Sequence, residues 1–171
     1  MNRIEETNMN LKVLTFLLMT LPLSAADVIE KAEKDEVFLI EKDNPDMLQA
    51  YKKARSSLHT FLAKYEESTA KDAFFIKVKI TENGNTEYFW LNPITIKGDN
   101  SFVGSLSNEP QLVTNVVYGE SISFSKADIY DWMYYENNKM YGNFTACALL
   151  KKESKEQREA FMQAYGLSCE N

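Results

Sequence analysis

The chain has 171 residues, of which 44% are hydrophobic and 26% are charged, and this composition is typical of one globular domain rather than a fibrous or disordered protein. Its 19 basic and 25 acidic residues give a formal net charge of -6, which argues against nucleic acid and other polyanionic partners. One histidine and two cysteines are too few for most zinc sites or for a histidine-based triad, so we expect no metal and no cofactor.

The N-terminal segment, residues 1–26, is predicted to be a signal peptide. Its apolar run, Leu11–Leu23, is shorter than the roughly 20 residues that cross a bilayer. Ser24 and Ala26 supply the small residues that a signal peptidase requires, which predicts cleavage after Ala26 and no membrane anchor afterwards. Two alternatives stay open: translation begins at Met9, or the apolar run is a buried helix.

Export would place the mature chain in the periplasm or outside the cell, where paired cysteines are usually oxidised. Cys147 and Cys169 are the two cysteines of the chain, and we expect a disulfide between them. Closing this loop is worth about 3 kcal/mol on the chain-entropy model. Without the signal peptide, two separate thiols become the better expectation.

The first predicted elements follow a charged segment. Residues 27–36 are expected to form a flexible mature N-terminus, and Val37–Ile40 is expected to form a short strand. The stretch Asp43–Asp46 combines an Asx cap, a proline and an acid, as helix starts do. Apolar residues then recur at three- and four-residue steps, which predicts one long amphipathic helix: Met47, Leu48, Tyr51, Ala54, Leu58, Phe61, Leu62 and Tyr65.

After this helix the apolar period changes to two, which is typical of half-buried strands. Strands are predicted at Phe74–Ile80 and Tyr88–Leu91, with Asn83-Gly84 as the hairpin turn between them. Asn92-Pro93 is expected to interrupt the second strand.

The meander is expected to continue through a turn at Gly98–Asn100 into a strand at Phe102–Leu106. Leu112–Tyr118 is ambiguous between a short helix and a strand. Ile129–Tyr135 and Met140–Leu149 are then predicted as two strands that pair through a turn at Asn137-Asn138.

Two capping boxes mark helical segments. Ser125 with Asp128 predicts one helical turn, and Ser154 with Gln157 predicts a C-terminal helix that ends at Gly166. The predicted fold is therefore α+β: a curved, mostly antiparallel sheet of six or seven short strands, packed by one long N-terminal helix, plus a C-terminal helix.

The inventory of catalytic motifs is small. No phosphate-binding or dinucleotide-binding motif is present, and the two S-x-x-K matches are short enough to arise by chance. His59 lies beside the apolar helix face with no orienting acid, and we interpret it as an ordinary boundary histidine. Glu109 and Asp131 are a candidate acid/base pair of a hydrolase, and the alternative is that both accept hydrogen bonds in turns.

Trp90, Asn108, Glu109, Asp131 and Trp132 lie near predicted turns and together form a candidate polar-aromatic binding patch. The alternative for the two tryptophans is a place in the core.

Five segments of the chain carry a family pattern: Glu87–Leu91, Gly104–Pro110, Gly119-Glu120, Ile129–Met133 and Gly142–Thr145. Their order and spacing resemble the bacterial YegJ-like family, domain of unknown function 2314. The resemblance covers residues 37–149, and it leaves residues 150–171 as a C-terminal helix and tail. It implies a small bacterial protein, in some members exported, with no assigned reaction and no catalytic residues to carry over.

Three functions follow as hypotheses. The first is a non-enzymatic periplasmic or secreted module, expected to be a monomer, which binds an unidentified protein or small molecule. The second is a hydrolase that uses Glu109 and Asp131. The third is an immunity-type protein whose acidity neutralises a basic toxin.

Overall fold

The structure of the protein is a computed structural model, and it describes residues 44–169. The predicted signal peptide with its cleavage point at Ala26, the charged segment 27–36 and the strand predicted at Val37–Ile40 all lie outside the described residues.

One long helix, α1, spans Pro45–Glu67. Its N-terminus is capped by Asn44, whose Oδ1 accepts the backbone N–H groups of Asp46 and Met47 at 3.0 and 3.1 Å. The buried face agrees with the predicted stripe except at Leu48, which is 50% exposed. The residues that α1 buries are Met47, Ala50, Ala54, Leu58 and Phe61.

Six strands form one antiparallel sheet in the order β4-β3-β2-β1-β5-β6. This arrangement confirms the predicted α+β class. The strands are β1 (Phe74–Glu82), β2 (Asn85–Gly98), β3 (Ser101–Leu106), β4 (Ser121–Phe124), β5 (Ile129–Glu136) and β6 (Lys139–Gly142).

The hairpin turns occur where the sequence predicts them. Asn83 and Gly84 both have positive φ, at 49° and 85°, as a two-residue turn with right-handed strand twist requires. Asn137 and Asn138 adopt the same kind of turn, with φ of 51° and 59°. The expected interruption at Asn92-Pro93 is confirmed in the pairing but not in the strand bounds: β2 continues through it, whereas pairing with β1 ends at Leu91 and the register to β3 shifts between Leu91 and Ile94.

The predicted strand Met140–Leu149 is wrong beyond its first residues. Strand β6 ends at Gly142, Asn143 takes a left-handed conformation with φ of 51°, and a short helix, α2, follows at Phe144–Leu150. Glycine is required at position 142, because a Cβ there would collide with the backbone oxygen and the side chain of Trp132.

The C-terminal helix, α3, spans Lys155–Tyr165 and begins and ends as predicted. Ser154 and Gln157 form the capping box, and Gly166 follows the helix in the left-handed conformation with φ of 63°. Leu167 then makes a parallel bridge to Met140 at the end of the sheet.

The main core lies between α1 and the sheet and is dominated by aromatic rings. Phe61 of α1 lies 5.5 Å from both Phe74 and Trp132, measured between ring centroids. A second, smaller core joins α3 to β6 through Met140, Leu150, Phe161 and Leu167. None of the helices within residues 44–169 combines the length and apolar character that a membrane crossing requires.

Candidate functional site

Three residues of the family pattern and its surroundings lie in one row across the sheet. Lys77 on β1 is opposite Trp90 on β2 and opposite Asp131 on β5. Ile76 and Val78, the neighbours of Lys77, belong to the main core, so Lys77 points to the other side of its strand. Strand pairing therefore brings together residues that are far apart in the chain.

Asp131 is completely buried, and its carboxylate accepts four hydrogen bonds. Oδ2 accepts the backbone N–H and the hydroxyl of Thr145, both at 2.7 Å. Oδ1 accepts the backbone N–H groups of Trp132 at 2.9 Å and of Phe144 at 3.3 Å. The carboxylate thus ties the first residues of α2 to strand β5.

Burial raises the pKa of the Asp131 carboxyl above its ordinary value, whereas the Lys77 ammonium and the Thr145 donors act in the opposite direction. Lys77 Nζ donates to Thr145 Oγ1 at 3.1 Å and lies 4.5 Å from the Trp90 ring centroid. We call Lys77, Asp131 and Thr145 the buried polar network.

Asn108 extends this arrangement to the neighbouring strand. Its Oδ1 accepts the backbone N–H of Trp90 at 2.9 Å, so it holds the long loop after β3 against β2. Its Nδ2 is buried and has no hydrogen-bond partner among the described residues. Four residues of the predicted patch, Trp90, Asn108, Asp131 and Trp132, are therefore linked by contacts.

The predicted patch is not one exposed surface, however. Asp131 and Trp132 are buried, and the Trp132 Nε1 donates to the carbonyl of Ala54 at 2.9 Å. Glu109 is exposed, whereas Asp131 is in the interior, and Asp131 accepts its hydrogen bonds from backbone and threonine donors. These placements give no support to an acid/base pair of Glu109 and Asp131.

A second buried acid, Glu87, was not singled out by sequence reasoning. It is completely buried and accepts the backbone N–H groups of Gln111, Leu112 and Val113 at 2.9 to 3.2 Å. Its burial could have been predicted from the alternation of β2, because Glu87 lies two residues before the buried Phe89 and therefore on the same face of the strand. The region predicted as helix or strand at Leu112–Tyr118 is consequently a loop, held by a carboxylate rather than by regular pairing.

His59 is exposed, as expected for a boundary histidine, and its Nδ1 lies 3.1 Å from the carbonyl of Ser56. Among the described residues there is no group of three histidine, cysteine or acidic side chains that would hold a metal ion.

One concave site lies between α1, the β5–β6 hairpin and α2, and we call it the helix–hairpin pocket. Its volume is about 570 Å³. Trp132 and Tyr134 of β5 contribute to its wall, together with Phe144 at the start of α2. Other lining residues are Asp46, Gln49, Lys53, Thr60, Lys139, Tyr141, Cys147, Lys151, Ser168 and Cys169.

The two cysteines lie in the wall of this pocket at disulfide distance, with their Cα atoms 5.5 Å apart. The predicted pairing is therefore confirmed as a pair at bonding distance. It connects α2 to the segment that follows α3.

Comparison with known proteins places the described region in one family. The family described as "Uncharacterized protein conserved in bacteria (DUF2314)" matches residues 44–169, a range that also includes the C-terminal helix. The chain is 39% identical over 117 residues to "Uncharacterized protein YegJ" of Escherichia coli (strain K12), which covers 68% of this chain and 75% of that protein.

A further relative is the "Putative ankyrin repeat protein NMB1133/NMB1171" of Neisseria meningitidis serogroup B, at 29% identity over 140 residues. The match covers 77% of this chain but about half of that protein, 55% of its length. No solved structure matches the chain. The family match and the likeness to the Escherichia coli protein agree with each other, and the chain belongs to the bacterial family of domain of unknown function 2314.

Proposed function

We propose that the protein is an exported, non-enzymatic binding module, and that the helix–hairpin pocket binds a small organic anion with a flat apolar body. The observation that carries this proposal is the meeting of an aromatic wall and three lysines in one concavity. A volume of about 570 Å³ is within the usual range for small-molecule sites.

The wall of the pocket offers flat apolar surface. Tyr134 and Tyr141 are stacked with ring centroids 4.9 Å apart and an interplanar angle of 10°. Phe144 stands at 90° to Trp132 with centroids 5.2 Å apart. Tyr141 is exposed and Phe144 is partly exposed, so these two rings offer contact surface to a planar ligand, while the buried Tyr134 and Trp132 hold them in place. The entropic cost is small, because few torsions must be ordered.

The charges around the pocket favour an anion. Lys53, Lys139 and Lys151 line it, and Asp46 is the one acid among the described lining residues. Asp46 is paired with Lys151 at 2.6 Å, so two positive charges remain uncompensated by lining acids. In a chain with a net charge of -6 this local excess selects a negatively charged ligand.

The buried polar network supports the pocket from behind. Asp131 accepts the N–H groups of Phe144 and Thr145, and this fixes the start of α2 and with it the Phe144 ring. A wall that is already in place when the ligand arrives reduces the entropy lost on binding. The network therefore has a supporting role in binding and needs no chemistry of its own.

A titration followed by two-dimensional ¹H–¹⁵N NMR tests the pocket with 1-naphthoate as the probe and neutral 1-naphthamide as its counterpart. We expect saturable shifts of Phe144, Tyr141 and Lys139 with the carboxylate, and weaker shifts with the amide. Lys139→Gln should weaken binding several-fold, whereas Lys152→Gln, an exposed lysine outside the pocket, should not. Absence of saturable shifts at the pocket would refute it as a site for aromatic anions.

Export has its own support and its own test. The N-terminal apolar run followed by Ser24 and Ala26 fits a secretory signal, and a cysteine pair at disulfide distance fits an oxidising compartment. N-terminal sequencing of the protein from a periplasmic fraction should give a chain that begins at Asp27. Recovery of an uncleaved chain in the cytoplasm would contradict export, and it would leave the proposal on ligand binding unaffected.

A further inference from the structure

A second concave surface lies on the other side of α1, where the helix faces β1, β2 and β5. Tyr51 of α1, Tyr88 of β2 and Tyr130 of β5 contact one another there. Their ring centroids lie 4.9 Å apart for Tyr51 and Tyr130, 5.2 Å for Tyr88 and Tyr130, and 5.9 Å for Tyr51 and Tyr88. We call this surface the tyrosine groove, and its volume is about 750 Å³.

The tyrosine groove is positively charged. Lys52, Arg55 and Lys79 line it, and no acid is found among its described lining residues. Arg55 is held in place because its Nε donates to the carbonyl of Ile129 at 3.1 Å, and its guanidinium lies 5.0 Å from the Tyr130 ring centroid. Lys79 Nζ lies 5.2 Å from the same centroid. The cations are thus arranged over and beside an aromatic surface.

The tyrosine hydroxyls add neutral hydrogen-bonding groups. Burial and a hydrogen bond to Tyr88 raise the pKa of Tyr51 above its ordinary value, so the hydroxyl keeps its proton at physiological pH. It therefore presents no negative charge to an incoming anion.

We propose that the tyrosine groove is a docking surface for an acidic, aromatic-containing segment of a partner protein. Tyrosine and arginine are among the side chains that are enriched at the energetic centres of protein interfaces. The groove follows α1 from Leu48 to Ser56, about 12 Å at 1.5 Å per residue, which matches an extended segment of roughly four residues. Leu48, half exposed at one end, offers an apolar contact.

Charge complementarity is the reason for choosing an acidic partner. The chain as a whole is negative and repels acidic proteins, so a groove lined by three cations and no acid gives such a partner a favourable place to dock. This site is separate from the helix–hairpin pocket, and Lys52 and Lys79 do not line that pocket.

Fluorescence anisotropy tests the proposal with a labelled decapeptide of glutamate, aspartate and tyrosine. We expect saturable binding that weakens with added salt, and a loss of about fivefold in affinity for Lys52→Gln/Lys79→Gln, since each exposed pair contributes modestly. Lys97→Gln on β2, an exposed lysine outside the groove, is the matched control and should leave binding unchanged.

Three outcomes would overturn the proposal. The first is the absence of peptide binding by the wild-type chain. The second is peptide binding with the same affinity for the wild-type chain and for the double variant. The third is tighter binding of a decamer of oligothymidylate with the same sensitivity to the double variant, which would make the groove a nucleic-acid surface. None of these three outcomes bears on the chemical-shift changes that naphthoate causes at the helix–hairpin pocket, so the two proposals are tested independently.

Discussion

At the scale of single residues, Asp131 is the side chain whose surroundings are most demanding. A fully buried carboxylate is tolerated because it receives four hydrogen bonds and has the Lys77 ammonium nearby. The same donors that satisfy it also anchor α2. Removing the side chain leaves these four donors without their acceptor and takes a negative charge away from the vicinity of the buried Lys77 ammonium.

Asp131→Ala should therefore lower the free energy of unfolding by about 3–5 kcal/mol, because buried donors lose their acceptor and the buried Lys77 loses a nearby negative charge. Asp131→Asn should cost less, because one acceptor oxygen remains for Trp132 and Phe144. Urea unfolding measures both. Glu109→Ala, at an exposed position, is the control and should fall within about 0.5 kcal/mol of wild type. Equal effects of Asp131→Ala and Glu109→Ala would contradict the assigned role of Asp131.

Asp128 gives a prediction on pH. Hydrogen bonds from the Ser125 hydroxyl and backbone N–H hold the pKa of the Asp128 carboxyl below its ordinary value. A lowered folded-state pKa means that the stabilisation is present above the unfolded-state pKa of about 4 and is lost as the pH falls through the folded-state pKa. NMR titration should show the low pKa, and Ser125→Ala should move it back toward the ordinary value. An unchanged pKa in Ser125→Ala would assign the shift to another cause.

At the scale of elements, the long loop between β3 and β4 is held in place by side-chain hydrogen bonds rather than by strand pairing. Glu87 accepts three consecutive backbone N–H groups, at Gln111, Leu112 and Val113. Glu82 does the same on a smaller scale, since its carboxylate accepts the N–H and hydroxyl of Thr114 at 2.6 and 3.0 Å. Strands β1 and β2 therefore position this loop through the side chains of Glu82 and Glu87.

Glu87→Gln should release the loop, because an amide supplies one acceptor oxygen in place of two and brings its own donors to a site full of donors. We expect a loss of about 1–3 kcal/mol in the free energy of unfolding and faster amide exchange at residues 111–113. Glu109→Gln changes an exposed acid of the same loop and should leave both quantities unchanged. Unchanged protection in Glu87→Gln would show that other contacts order the loop.

The elements that were predictable from the sequence are those with local causes. The Asn83-Gly84 and Asn137-Asn138 turns and the two capping boxes depend on residues within a few positions of one another. The helix at Phe144–Leu150 was not predictable in this way, because its first two N–H groups donate to Asp131, which lies on strand β5. The loop that Glu87 holds was not predictable for the same reason, because its backbone N–H groups are bound by a residue more than 20 positions away.

The candidate site shows the same division. The order of motifs identified Trp90, Asn108 and Asp131 as important, and the structure links them by contacts. From the sequence these residues formed a candidate patch near turns, with the alternatives that the tryptophans lie in the core and that Asp131 accepts hydrogen bonds. Trp132 and Asp131 follow those alternatives. Their burial depends on the pairing of β1 with β2 and β5, which no local pattern contains.

At the scale of the whole molecule, the C-terminal helix is attached to the sheet by a small apolar core, and the cysteine pair connects the segment that follows it to α2. Met140, Leu150, Phe161 and Leu167 form that core. Four buried side chains give limited stabilisation, so we expect a covalent link to matter more for α3 than for the main sheet.

The double variant Cys147→Ala/Cys169→Ala should lower the free energy of unfolding by about 3 kcal/mol if the pair is oxidised in the isolated protein. Amide exchange should increase first in α3 (Lys155–Tyr165), while α1 keeps its protection. Reduced wild-type protein should behave like the variant. A non-reduced mass that is unchanged by reduction would show that the pair is not bonded.

The position of Ser168 and Cys169 in the wall of the helix–hairpin pocket has a practical consequence for handling the protein. We expect a purification tag fused close behind Cys169 to compete with small ligands for the pocket. A tag before the predicted signal peptide would interfere with export. The tip of the β1–β2 hairpin is the better place for an insertion, because Gly84 is at an exposed turn with open space around it, and neither concave surface includes it.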